Sequence, residues 1–352
     1  MASVQQRPNG RWAVRWRDQD GLQRWRTFTN KGEAKSFAKV VEFQVSTAPT
    51  PTCLRLTLDE FASAWVSRQI WRQSTRDAYT SHYRRHIRPQ LGDQLLADLK
   101  PSELQHWVKE LSDQLSAGTV QVIASHMRSM LADAVREGLL PTNPGAGLRL
   151  PRLDRRIIEP PTLHQLQSLA EGLPCRYRAL VSIGASTGMR QGECFGLTLD
   201  RVDFSRKQIR IDRQLVTDGH GTPSFGPPKT RASVRTVPVT DRTLTEIQDQ
   251  VDRYPTSRGF VFSSAADGPI SRTRFSDLWR PAAAAVGLPP RTGMHCLRHF
   301  YASALIRAGC SVKVVQARLG HATAAETLDT YAHLWHDDED RTRAAIEAVI
   351  SW

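Results

Sequence analysis

At 352 residues, 40% hydrophobic and 24% charged, the chain is long enough for two or three domains with cores of their own, and its ordinary composition excludes extensive disorder. No run approaches the ~20 apolar residues of a membrane span, and MASVQQRPNGRW lacks the apolar core of a signal peptide, so a cytoplasmic protein with no membrane partner is expected. A net charge of +13 attracts polyanions, nucleic acid foremost, although it describes a field and not a site.

Residues 1–46 read as strand, turn, strand, helix. In RWAVRWR, Trp12, Val14 and Trp16 alternate with Arg11, Arg15 and Arg17, which places arginines on one strand face. Asp18 to Gly21 is a turn signal, and LQRWRTF is strand-like, with Arg24, Arg26 and Phe28 sharing a parity. Asn30 with Glu33 caps a helix carrying Ala34, Phe37, Ala38 and Val41. A small basic sheet backed by a helix suits the DNA major groove; the alternative is a solvated charged face. STAPTPT then marks a linker.

Residues 56–150 read as all-helical. Thr57 and Glu60 form a capping box; Ser74 with Asp77 precedes a second helix, Pro101 opens a third and Thr119 caps a fourth, which Gly138 and Pro141 end. The aromatics here read as core, and only YRRHIR, with Arg84, Arg85 and Arg88, is a candidate phosphate-facing cluster. PRLDRRIIEP is a basic, proline-bounded linker. From Thr162 the pattern turns mixed: two helices to about Gly188, strands at VDF and QIRID, a hairpin around Lys229 to Val239, then helices from Asp241. The cysteines (Cys53, Cys175, Cys194, Cys296, Cys310) are scattered and odd in number, as reduced thiols are.

Four signals in this last segment carry chemistry. They are TGMRQGECFGL with Arg190, PPKTRASVRTVPV with Lys229 on the first arm of the hairpin, MHCLRHFYASALIRAG with His295, Arg298 and His299, and LGHATAAETLDTYAHL with His321 and Tyr331. Singly each is weak: a helical histidine is more often structural, and Tyr331 alone reads as a half-buried aromatic. A zinc reading of His295, Cys296, His299 and His321 lacks the glutamate of HExxH, and an adjacent His-Cys pair is a poor ligand set.

Taken in order, the arginine, lysine, HxxR, histidine and tyrosine resemble the catalytic constellation of the tyrosine recombinases, the phage-integrase family. The N-terminal segment resembles, more loosely, the arm-binding domain of phage and conjugative-element integrases. The resemblance implies a multidomain α+β protein with three parts. These are an arm-type DNA-binding sheet and helix (1–46), a helical core-binding domain (56–150) and a mixed, mainly helical catalytic domain with a small antiparallel sheet (161–352), the last two clamping DNA from opposite sides. It implies a site-specific recombinase acting in a bacterial cell or phage host through a 3′-phosphotyrosyl intermediate, to integrate or excise a mobile element without metal or other cofactor.

In that scheme Tyr331 is the nucleophile, Arg190 and Arg298 stabilise the phosphate, and His295 is the general base. Lys229 protonates the leaving oxygen, His321 hydrogen-bonds the phosphate, Glu193 orients its neighbours and His299 is structural. The implied partners are double-stranded core and arm sites, three further copies in a tetramer on synapsed DNA, and an excisionase-like directionality factor. The tail stripe of Ala345, Ile346, Val349 and Ile350 would pack on a neighbouring copy. Two departures stand out: Tyr331 follows His321 by ten positions, where many relatives have nine, and Leu199 stands where a tryptophan is common. Tyr301 is the rival nucleophile but lacks the matching context. The competing functions are a chromosome or plasmid dimer resolvase, and a DNA-binding regulator that no longer cleaves.

Overall fold

A computed structural model describes residues 2–8, 10–17, 23–46, 55–153, 159–217, 222–335 and 339–350. Two compact units result, Met1–Arg155 and Arg156–Trp352, and helices and small antiparallel sheets mix along the chain as an α+β protein. The Asp18 to Gly21 turn, most of the STAPTPT linker, Cys53 and the centre of PRLDRRIIEP lie outside the described residues.

The first unit opens with a three-stranded sheet, β1 (Ser3–Gln6), β2 (Trp12–Arg17) and β3 (Gln23–Phe28), in that order. β1 was not expected, because SVQQ carries only one strong strand former; Val4 opposite Val14 anchors it in the pairing. The register sets Arg15 opposite Trp25 on one face and Trp12 opposite Phe28 on the other. Helix α1 (Lys31–Ser46) covers the second face, packing Ala34, Phe37 and Ala38 on Val14, Trp12 and Trp16. Asn30 caps it, its Oδ1 accepting from the Gly32 N–H at 2.7 Å.

The helical part follows as α2 (Leu58–Ser67), α3 (Gln73–His82), a π-helical turn over Tyr83–Ile87, α4 (Arg88–Leu91), α5 (Pro101–Gln114) and α6 (Ala117–Arg136). The Thr57–Glu60 capping box closes on α2. Two caps differ from expectation. Ser74 lies inside α3, which starts one residue earlier. Ser116 caps α6, its hydroxyl accepting from the Thr119 N–H at 3.4 Å. Trp65, Tyr79, Trp107, Met127 and Leu131 are buried together, so the aromatics of this unit build its core.

The second unit begins with α7 (Leu163–Glu171), α8 (Cys175–Thr187) and α9 (Gln191–Phe195). Its strands are β4 (Val202–Asp203), β5 (Gln208–Ile211), β6 (Gln214–Thr217), β7 (Pro223–Gly226) and β8 (Arg235–Pro238). Here the hairpin expected around Lys229 to Val239 is replaced. β6 and β7 form the hairpin, β8 pairs with β5, and Lys229 lies in the link between β7 and β8. Helices α10 (Asp241–Arg253), α11 (Arg272–Ala285), α12 (His295–Arg307), α13 (Val312–Leu319), α14 (Ala324–Tyr331) and α15 (Glu339–Val349) complete it. α8 packs against α7, α10 and α12 at the centre of the core.

Candidate active site

The site is assembled from three helix junctions in the second unit. At the first, Gly188 ends α8 in the left-handed region (φ 63°), and a Cβ there would lie 2.4 Å from the Tyr301 ring. The turn delivers Arg190 to the start of α9, where the Glu193 carboxylate accepts from the Arg190 N–H at 2.9 Å and from its guanidinium at 3.2 Å. Glu193 is buried and also receives both Nη groups of Arg235, at 3.2 and 2.9 Å. Burial pushes the Glu193 pKa up, but Arg235 and then Arg190 outweigh it and hold the carboxyl below its ordinary value.

Arg235 had no place in the sequence-level site, although the residue is the arginine of RTVP. Its Nε also donates to the Arg318 carbonyl at 2.7 Å, so the side chain ties β8 to the end of α13. The Ser233 hydroxyl lies 3.3 Å from the Arg190 Nη1.

Helix α12 supplies the second junction. Arg298 is 1% exposed, and its two Nη groups donate to the carbonyls of Gly188 (2.9 Å) and Leu319 (2.6 Å). Burial, followed by the charges of Arg190 and Arg235, pushes its pKa down to about 9. Three guanidiniums therefore gather around one carboxylate, leaving a net positive site. His295 stands at the first turn of α12; burial among protein atoms, then Arg298, Arg190 and His321, pulls its pKa down to about 4. By surface area His295 is exposed.

The third junction follows α13, where Gly320 (φ 66°) turns the chain so that buried His321 enters. Its Nδ1 lies 2.8 Å from the Thr327 hydroxyl of α14, and Nε2 lies 3.8 Å from Glu326. Two residues later Thr323 caps α14, whose last residue is Tyr331. Tyr331 is 2% exposed, and its hydroxyl is 2.7 Å from Nδ1 of His299. Burial raises the Tyr331 pKa to about 12, against the lowering field of Arg298. The tyrosine hydroxyl thus meets His299, which the sequence suggested was structural, and not His295. The two imidazoles touch edge to face with ring centroids 4.7 Å apart.

Arg190, Arg298, His295, His321 and Tyr331 are brought together, and Lys229 is exposed in the link after β7. Tyr301 is buried against Gly188, in the core behind the site. Among the described residues no three His, Cys, Asp or Glu side chains are placed to hold a metal ion. Burial pushes the Cys296 thiol up to about 12, against thiolate ligation. A cavity of about 610 Å³ beside Gln191 and Trp279 lies off this cluster. A site for a phosphate on a large duplex need not be a deep pocket.

The expected DNA contacts fall on different surfaces. Arg15 and Trp25 share the face of the sheet that α1 leaves open, and Trp25 is 63% exposed. Arg24 and Arg26 point to the α1 side, with the Arg26 guanidinium 5.2 Å from the Phe37 ring centre. Arg11 is exposed ahead of β2, and the side chain of Arg17 lies outside the described residues. Arg84 and Arg85 project from the π-helical turn, whereas Arg88 is paired with Asp59 at 3.2 Å.

Residues 157–337 match the family model described as phage integrase family, and residues 57–112 match a phage integrase N-terminal SAM-like domain. The chain is 26% identical over 313 residues to a XerC-like tyrosine recombinase of Caldanaerobacter subterraneus subsp. tengcongensis, covering 79% of this chain and 80% of that protein. It is 25% identical over 322 residues to the integrase of Mycobacterium phage L5, covering 87% and 86%. In fold it is similar to the Tn1549 transposon integrase solved with transposon right-end DNA (TM-score 0.70, 21% identity, 84% of this chain and 100% of that one). A family match spanning more than half of the residues, over the segment that holds the whole cluster, shows that the chain belongs to the phage integrase family and is a tyrosine-type site-specific recombinase.

Proposed function

We propose that this recombinase breaks and rejoins duplex DNA at Tyr331. Arg190 and Arg298 hold the scissile phosphate with support from His321, Lys229 protonates the departing 5′ oxygen, and an imidazole of α12 receives the tyrosine's proton. The observation that carries the reading is the convergence of three guanidiniums, two facing histidines and a buried tyrosine hydroxyl within one cluster. Phosphoryl transfer places extra negative charge on the nonbridging oxygens, and fixed planar cations stabilise it without reorganising. A phosphotyrosyl link conserves the energy of the broken bond, so the freed hydroxyl reseals it without ATP.

The described surfaces support DNA contact by Arg84 and Arg85 at the core site, and by the Arg15–Trp25 face at a second, arm-type site. Ile346 and Val349, 55% and 82% exposed on α15, support assembly with further copies on synapsed DNA.

A core site recovered by binding selection from random duplexes, then nicked near the cleavage point, provides the test. The wild-type chain should leave a covalent adduct on a denaturing gel, and Tyr331→Phe should bind the duplex equally and leave none. Binding without an adduct in the wild type would favour a non-cleaving regulator.

A further inference from the structure

We infer that His299, and not His295, is the general base that takes the proton of Tyr331. This rests on Tyr331 being the nucleophile. The geometry is direct: Nδ1 of His299 lies 2.7 Å from the Tyr331 hydroxyl, and the two rings meet edge to face with centroids 5.6 Å apart. A neutral imidazole carrying its proton on Nε2 presents a lone pair at Nδ1, and a tyrosine hydroxyl has a proton to give. His295 is one helical turn away and contacts the ring of His299, not the tyrosine.

The surroundings divide the two imidazoles by task. His295 feels Arg298, Arg190, His321 and Glu193, the groups of the anion site, whereas His299 feels His295 and Arg298 and touches Tyr331. His299 therefore stands on the nucleophile's side and His295 on the phosphate's side. A cavity of about 340 Å³, bounded by Pro161, Pro289 and Thr292 and reached by His295, Cys296 and His299, gives the pair an outlet through which a proton can pass to solvent. Among the described residues, Glu159 is the one carboxylate on its wall.

The step balances. The Tyr331 oxygen bonds to phosphorus as the P–O5′ bond breaks; the hydroxyl proton passes to Nδ1, giving an imidazolium; the 5′ oxygen takes a proton from the general acid. Resealing runs the same transfers backwards. Burial, then His295 and Arg298, holds the His299 pKa near 4, so the base is unprotonated throughout the neutral range.

The full-length chain is assayed for single-turnover cleavage from pH 6 to 9. The substrate carries a 5′-bridging phosphorothiolate, whose sulfur leaves without protonation, so the acid no longer shapes the profile. Wild type should be flat with pH. His299→Ala should be slower by ~10²-fold or more at pH 7, and its rate should rise about tenfold per pH unit, because the tyrosine then ionises only by way of hydroxide. His299→Gln, which keeps hydrogen-bonding groups but cannot take a proton, should show the same slope and guards against a folding loss in the alanine variant. Added imidazole should restore part of the His299→Ala rate. A flat profile in both variants overturns the inference, whether the rate is normal or uniformly reduced, as does the unit slope appearing in His295→Gln instead. An adduct that survives Tyr331→Phe overturns the nucleophile reading, and with it this one; loss of that adduct beside flat His299 profiles overturns this one alone.

Discussion

At the scale of single residues, the site depends on Glu193 being shared. Alone with Arg190 it would neutralise the guanidinium that is needed for the phosphate. With Arg235 bound through both Nη groups, the carboxylate is satisfied and Arg190 keeps charge to spare. Arg235→Met should therefore leave a buried carboxylate short of its main partner, at a cost of about 3–5 kcal/mol in urea unfolding, and should weaken cleavage further by drawing Arg190 inward. Arg235→Lys should recover part of the stability, since it restores charge but not the fork; equal stability of Arg235→Met and wild type would sink this account. The sequence displayed Arg190, Arg298, His321 and Tyr331 because their neighbours form ordered motifs. Arg235 and His299 lie in the same motifs, but what they do depends on a burial and a 2.7 Å approach that arise only when β8, α12 and α14 meet.

At the scale of elements, several local signals held, although the caps expected at Ser74 and Thr119 fell at Arg72 and Ser116. The Thr57–Glu60 box, Pro101 at the start of α5 and the left-handed Gly188 after α8 each work within one turn of chain. Strand partners are chosen across the fold. β7 therefore took β6 and not β8, and β1 joined a sheet its own residues hardly announce. The packing of α12, α13 and α14 has a pH consequence of the same non-local kind. His299 and His321 each have a folded pKa of about 4, lowered first by burial and then by neighbouring charges, against 6.5 when free. Between those values the unfolded chain binds more protons, so stability is complete above about pH 6.5 and drains away as the pH falls toward 4. Thermal melts followed by circular dichroism should show Tm dropping by about 5 °C or more from pH 7 to pH 5, and a double His299→Gln, His321→Gln variant should flatten the fall. A wild-type Tm indifferent to pH in this window would contradict the burial of these rings.

For the whole molecule the governing quantity is the charge of +13, and its arrangement decides how much of it DNA can use. Arginines already engaged within the protein release few counterions on binding; those that project freely release about 0.9 each per phosphate neutralised. Arg84 and Arg85 are exposed on the π-helical turn, while Arg88 is held by Asp59. Titrating a selected core-site duplex across salt concentrations should therefore give a log–log slope that is shallower by ~2 in the Arg84→Ala, Arg85→Ala variant and changed much less in Arg88→Ala. Trp25→Ala and Arg15→Ala remove an exposed aromatic and a cation from another surface, the open face of the sheet. They should leave the core-site slope untouched and weaken only binding to duplexes selected by an arm-type site. If the two sets of substitutions instead weakened the same duplex equally, the basic sheet and the π-helical turn would serve one DNA site, and the assignment of separate core and arm surfaces would fall.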